Sequence, residues 1–157
     1  MNSKQKGNRW ELEVCHIFEE VFNDKFMRTP SSGGLFGKNN RSRADGMKDS
    51  TKEDLSADII TPKDFPYSIE CKNYNDLAFH QILQGYCAQL NEWIEQASSD
   101  AKFIGKKMLI VMKLKRKGAF VCLNKEDVNE SLYKNKFYYL DKYIILDMKN
   151  WLENINI

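Results

Sequence analysis

Apolar and polar positions alternate along this chain with two different periods. Near the start, Trp10, Val14, Ile17, Phe18 and Val21 recur at three- and four-residue spacing, which predicts an amphipathic helix over residues ~5–23. Residues 25–28 form a short strand candidate, and residues 29–34, Thr-Pro-Ser-Ser-Gly-Gly, predict a turn. Residues 57–60 and 67–73 then read as two strands, with Pro62, Lys63, Asp64 and Pro66 turning the chain between them. Residues 78–103 carry a long helical stripe that includes Leu83, Tyr86, Cys87, Leu90, Trp93, Ile94, Ala97 and Ala101. Its polar face bears Gln81, Gln84, Gln89, Glu92, Gln96 and Asp100, where glutamine is usually solvated. Residues 108–112 are apolar without a break, as expected of a central strand covered on both faces. A basic turn (113–118) leads to a further strand at 119–123. Asn124 is placed to cap a short helix to ~134, residues 143–146 read as a strand, and Asp147 is placed to cap a last helix that packs Trp151 and Leu152. The order predicts an α/β fold, a mixed sheet with helices against it, in a single domain spanning 1–157.

One segment resists this scheme. Residues 38–56 are polar, basic at Arg41 and Arg43 and mixed in charge afterwards. A structureless stretch of this length is uncommon within a compact domain, and the segment (35–56 in full) is expected to be a flexible loop, either solvated or in contact with nucleic acid.

Composition narrows the class. With 157 residues, 42% hydrophobic and 29% charged, the chain is long enough for a substantial core. Its net charge of +2 neither requires nor excludes nucleic acid. No apolar run approaches the ~20 residues that span a bilayer, and the polar opening segment has no signal-peptide core, so an intracellular, cytoplasmic protein is expected. Cys15, Cys71, Cys87 and Cys122 lack paired CxxC spacing and sit in apolar runs, so they are expected to be reduced and buried. Two histidines leave little for a histidine-based metal site. The basic residues fall into two groups, Lys102, Lys106 and Lys107 against Lys113, Lys115, Arg116 and Lys117, which the strand between them sends to opposite ends or gathers into one patch.

Chemistry concentrates in residues 67–73. Strand alternation puts Ser68, Glu70 and Lys72 on one face and Tyr67, Ile69 and Cys71 on the apolar other. If the two strands pair as a hairpin, Asp58 lies beside Glu70. Two carboxylates and a lysine at one strand end then make a hard-oxygen metal site suited to phosphodiester hydrolysis. Glu11 projects at the rim of the first helix's buried stripe, which fits either a first-turn acid favoured by the helix dipole or a carboxylate turned to a site. Gly7, one turn earlier, would permit close approach of another backbone.

The order helix-Glu11, strand-Asp58, strand-Glu70-Cys71-Lys72 resembles the PD-(D/E)xK nuclease superfamily. Residues 6–11, Lys-Gly-Asn-Arg-Trp-Glu, are similar to the KGxxxE opening of archaeal Holliday-junction resolvases, and residues 28–34 to their RxPxSG segment. Residues 93–101 and 108–113 resemble small phage and archaeal-virus members. The resemblance implies a restriction-endonuclease-like fold and a DNA endonuclease that resolves four-way junctions in recombination as a homodimer. It implies one or two Mg²⁺ or Mn²⁺ ions on Asp58, Glu70 and the Cys71 carbonyl oxygen, with Glu11 joining directly or through water. Lys72 would then orient water or neutralise charge, while Arg28 and Ser32 would sit near the scissile phosphate. Lys6, Arg41, Arg43 and the basic turn would touch DNA. Three departures stand out: Ala57 replaces the family's proline, the segment between Gly34 and Asp58 is long, and Cys71 fills the middle of ExK. Another DNA endonuclease or exonuclease, or a non-catalytic DNA-binding module on the same fold, are the competing readings.

Overall fold

The computed structural model describes residues 2–30, 56–134 and 136–155. Most of the polar segment 35–56 therefore lies outside the described residues, as do Ser32, Arg41 and Arg43. The chain runs α1 (Ser3–Phe22), β1 (Met27–Arg28), β2 (Ile59–Ile60), β3 (Tyr67–Tyr74), α2 (Phe79–Leu83), α3 (Ala88–Phe103), β4 (Lys107–Leu114), β5 (Gly118–Asn124), β6 (Phe137–Leu140), β7 (Tyr143–Asp147) and α4 (Met148–Asn154). Among the described residues seven strands form one sheet in the order β1-β2-β3-β4-β5-β7-β6. Only β3 and β4 are parallel, with Glu70 opposite Ile110; all other neighbours are antiparallel. This is a mixed α/β sheet flanked by helices, as the patterning predicts.

Alternation along the strands divides the core in two. Leu109 and Val111 of β4 face α1 and α4, together with Tyr67, Ile69 and Cys71 of β3. Met108, Ile110, Met112 and Leu114 face α3. Leu109, Ile110, Val111 and Met112 are all fully buried, each contributing roughly 1.5–3 kcal/mol of apolar burial. An aromatic cluster fixes the pose of α1: Phe26 and Phe65 meet at 5.0 Å between ring centroids, and Phe18 meets Trp151 at 6.2 Å. The Trp10 indole N–H donates to the Val111 carbonyl at 3.1 Å. These contacts hold Glu11 against the end of the sheet.

Several elements differ from the patterning. Helix α1 starts two residues early because Asn2 and Gln5 form a reciprocal capping box. Val21 lies 46% exposed on its outer side. Among the described residues beyond its own helix, a Cβ at Gly7 would meet only Glu11 Oε1, at 3.9 Å, so no other backbone closes on it there. The long helix at 78–103 is two helices. Gly85 adopts φ +87°, and the Tyr86 and Gly85 N–H groups donate to the Gln81 and Ile82 carbonyls, closing a Schellman stop. Leu83 and Tyr86 at that stop are exposed, not core. The helix expected to ~134 is two 3₁₀ turns (Lys125–Asp127 and Glu130–Tyr133), the second capped by Asn129 while Asn124 caps nothing through its side chain. The aromatic run Phe137–Leu140 is an additional edge strand. Asp147 caps α4 as expected, accepting from the Asn150 N–H at 2.9 Å. All four cysteines are free thiols, and Cys71 is half-buried where burial was expected.

Candidate active site

Strand β2 is only two residues long, and that shortness makes the site. Ile59 pairs with Ile69, and the Asp58 N–H donates to the Ile69 carbonyl at 3.2 Å. Beyond this point β3 continues with no β2 residue alongside. There the Asp58 side chain takes over as acceptor: its Oδ2 receives the Cys71 N–H at 2.8 Å. The Thr29 N–H donates to the Asp58 carbonyl at 2.9 Å, clamping the residue from the β1 side. The hairpin expected between the two strands forms, and it brings Asp58 beside Glu70.

Glu70 and Lys72 point toward α3, one pleat apart. Lys72 Nζ donates to Glu70 Oε1 at 2.7 Å and to Gln96 Oε1 at 2.9 Å, and Gln96 Nε2 donates to Glu70 Oε1 at 2.8 Å. Gln96 is a site residue that patterning assigns to solvent. The available signal is its place on α3 one turn after the buried Trp93, at the rim of the buried stripe.

Glu70 is 6% exposed. Burial, then the Asp58 charge, pushes its carboxyl up to about 8, against the opposing pull of Lys72. Burial lowers the Lys72 ammonium most, but the charge and hydrogen bond of Glu70, with Asp58 and Tyr74, together outweigh it and leave Lys72 raised and charged. Burial, then Asp58 and Glu70, raises the Cys71 thiol well above its ordinary range, so it remains a neutral thiol rather than a soft thiolate ligand.

Glu11 reaches the same region from α1. It is 7% exposed and pairs with Arg28 Nε, while Arg28 Nη2 donates to Asn8 Oδ1 at 2.8 Å. A cleft of about 850 Å³ is lined by Lys6, Glu11, Asp58, Glu70, Cys71, Lys72, Gln96, Lys113, Lys115 and Arg116, among others. Arg28 and Lys117 are not among its lining residues. Lys117 instead pairs with Asp76, and Lys113 spans Glu13 at 2.6 Å and the Trp10 ring at 4.8 Å. Because β3 and β4 are parallel, the turn after β4 sits at the same end as the site. Lys107 lies at the opposite end, opposite Tyr67, with Lys106 bonded to Thr61 at 2.8 Å; the two basic groups form separate patches. Among the described residues no three acidic, histidine or cysteine side chains converge into a cage for a metal ion.

A mixed sheet with helices on both faces and an Asp…Glu-x-Lys cleft at the end of a short hairpin is the restriction-endonuclease-like arrangement of PD-(D/E)xK nucleases. Residues 2–157 match the family model described as "Phage putative PDDEXK endonuclease", and the chain belongs to that family. No curated protein and no solved structure matches it. Among the described residues no helix is long and apolar enough to cross a membrane.

Proposed function

We propose that the whole chain is one nuclease domain, a metal-dependent DNA endonuclease that acts in the cytoplasm as a homodimer on four-way junctions. The observation that carries the cleavage reading is the convergence of Asp58, Glu70 and Lys72 on one cleft that Lys115 and Arg116 also line.

The residues fit a hard divalent cation. Mg²⁺ takes one or two carboxylates and completes its octahedron with water and substrate phosphate, so a closed protein cage is not required. Asp58 and Glu70 supply the carboxylates. The N–H and C=O of an extended residue point to the same side, so the Cys71 carbonyl shares the edge on which its N–H meets Asp58. These groups would hold Mg²⁺ or Mn²⁺, with Glu11 joining directly or through water. A cation held there supplies Lewis acidity toward water and phosphate oxygen. Lys72, kept charged, would orient the attacking water or neutralise the developing charge. Lys6, Lys113, Lys115 and Arg116 would grip flanking phosphates, the last two most directly. We assign Arg28 to holding Glu11. Ser32, Arg41 and Arg43 are carried as DNA contacts by the sequence alone.

Junction preference rests on the resemblance of residues 6–11 and 28–34 to resolvase segments. A junction needs two symmetric cuts, which a two-fold dimer provides. The test is a gel assay on a synthetic four-way junction beside a matched linear duplex, with Mg²⁺ or EDTA. Paired symmetric nicks on the junction alone support a resolvase. Equal cutting of the duplex removes junction selectivity and leaves a general endonuclease.

A further inference from the structure

We propose that Gln96 is a positioning residue that keeps Lys72 over the cleft once Glu70 gives its carboxylate to a cation. This rests on the nuclease reading of the same cleft. Gln96 closes a three-membered ring of hydrogen bonds with Glu70 and Lys72, all between 2.7 and 2.9 Å. Its amide orientation is dictated by chemistry. The Lys72 ammonium has no acceptor, so the amide oxygen must face it and the amide nitrogen must face Glu70. Only a group that accepts and donates at once fits this corner. A carboxylate would oppose Glu70, and an apolar side chain would leave both partners short of a bond.

The ring matters because the Lys72–Glu70 bond is the one that a cation weakens. Glu70 would give up part of its hold on Lys72 if it held a divalent ion, because the ion would repel the ammonium beside it. The neutral Gln96 oxygen still accepts from Lys72. It is mounted on α3 beside the buried Trp93, whose ring meets the Tyr74 ring at 4.7 Å in a tilted contact. Among the described residues, two of the three Lys72 donors serve Glu70 and Gln96, and the third faces the cleft that Lys72 lines. Without Gln96, a cation on Glu70 would free the long lysine side chain to swing into solvent.

The test uses Gln96→Met, of similar length but unable to replace either bond, on the full chain. Three quantities are read: single-turnover cleavage at saturating Mg²⁺, DNA affinity in Ca²⁺, and the Lys72 ammonium signal in ¹H–¹⁵N spectra of the Mg²⁺-loaded protein. Cleavage should fall at least tenfold while DNA affinity changes less than twofold. The Lys72 signal, sharp in the wild type, should broaden away. Wild-type cleavage, or a retained Lys72 signal, overturns the proposal. If Gln96→Met does not fold, Gln96→Ser is read in the same way. If the wild type cuts no DNA, the nuclease reading falls, and the ammonium signal alone decides whether Gln96 anchors Lys72.

Discussion

The Asp58 carboxylate accepts the Cys71 main-chain N–H at 2.8 Å, just where β3 runs past the short strand β2. One side chain thus caps the open ladder and supplies the charge facing Glu70. The two roles separate by substitution. Asp58→Asn keeps an acceptor for the N–H and should fold with a loss under about 1 kcal/mol, whereas Asp58→Ala orphans the N–H and should cost about 1–3 kcal/mol. Both should lose cleavage by at least a hundredfold. Urea unfolding beside a cleavage assay checks the pair.

The raised Glu70 carboxyl sets a pH dependence. Its folded value, about 8, lies above the ordinary 4.5, so the folded protein binds an extra proton between them. The stability this contributes is fully present below pH ~4.5 and is lost as pH rises through 8. The metal-free protein should therefore lose stability from pH 5 to 8, and Glu70→Gln should flatten that slope. Cation binding at pH 7 should release protons, since the ion needs the carboxylate form. Calorimetry in two buffers of different ionisation enthalpy measures the release.

Arg28 is predicted to act through Glu11. Removing the guanidinium takes one cation away from a carboxylate that is only 7% exposed. Arg28→Ala should destabilise by about 1–3 kcal/mol, less than a fully buried pair because Arg28 is 26% exposed. Adding Glu11→Gln should recover more than half of the loss. Arg28→Lys should not restore stability fully, because one ammonium cannot serve both Glu11 and Asn8 in the same geometry. A double-mutant cycle on thermal unfolding reads the coupling.

DNA contacts should map to one end of the sheet. Alanine at Lys115 or Arg116 should weaken binding and lower the salt slope by about one unit each. Lys117 and Lys113 are engaged by Asp76 and Glu13, so their removal should matter less. Lys106 and Lys107, at the far end, should have no effect. Fluorescence anisotropy with Ca²⁺ over a salt series measures all of these.

The sheet core and the Asp58–Glu70–Lys72 grouping were legible because they follow from local rules. Period-2 alternation fixes which β3 side chains share a face, and a proline-bounded turn forces residues 57–60 back beside them. The unbroken apolar run in β4 announces a strand covered on both faces. Features that depend on distant partners were not legible. Gln96 has the sequence appearance of any solvated glutamine, and only the pose of α3 over β3 turns it onto Glu70. The pairing of Arg28 with Glu11 depends on the aromatic cluster that sets α1. The break at Gly85 carried a signal, since a left-handed glycine ends helices, but the apolar stripe continues through it and masks the stop. Strand β6 is turned by Asp141 and Lys142 without a glycine, so its hairpin lacks the usual punctuation.

Asp58, Glu70 and Lys72 are expected to cut DNA with a divalent ion. The most direct test is single-turnover cleavage of end-labelled branched DNA across a Mg²⁺ titration, for the wild type and Glu70→Gln. The wild type should cut only with Mg²⁺ and not in EDTA, and Glu70→Gln should lose at least a hundredfold while DNA binding in Ca²⁺ persists. Cutting that survives EDTA, or survives unchanged in Glu70→Gln, would contradict this expectation.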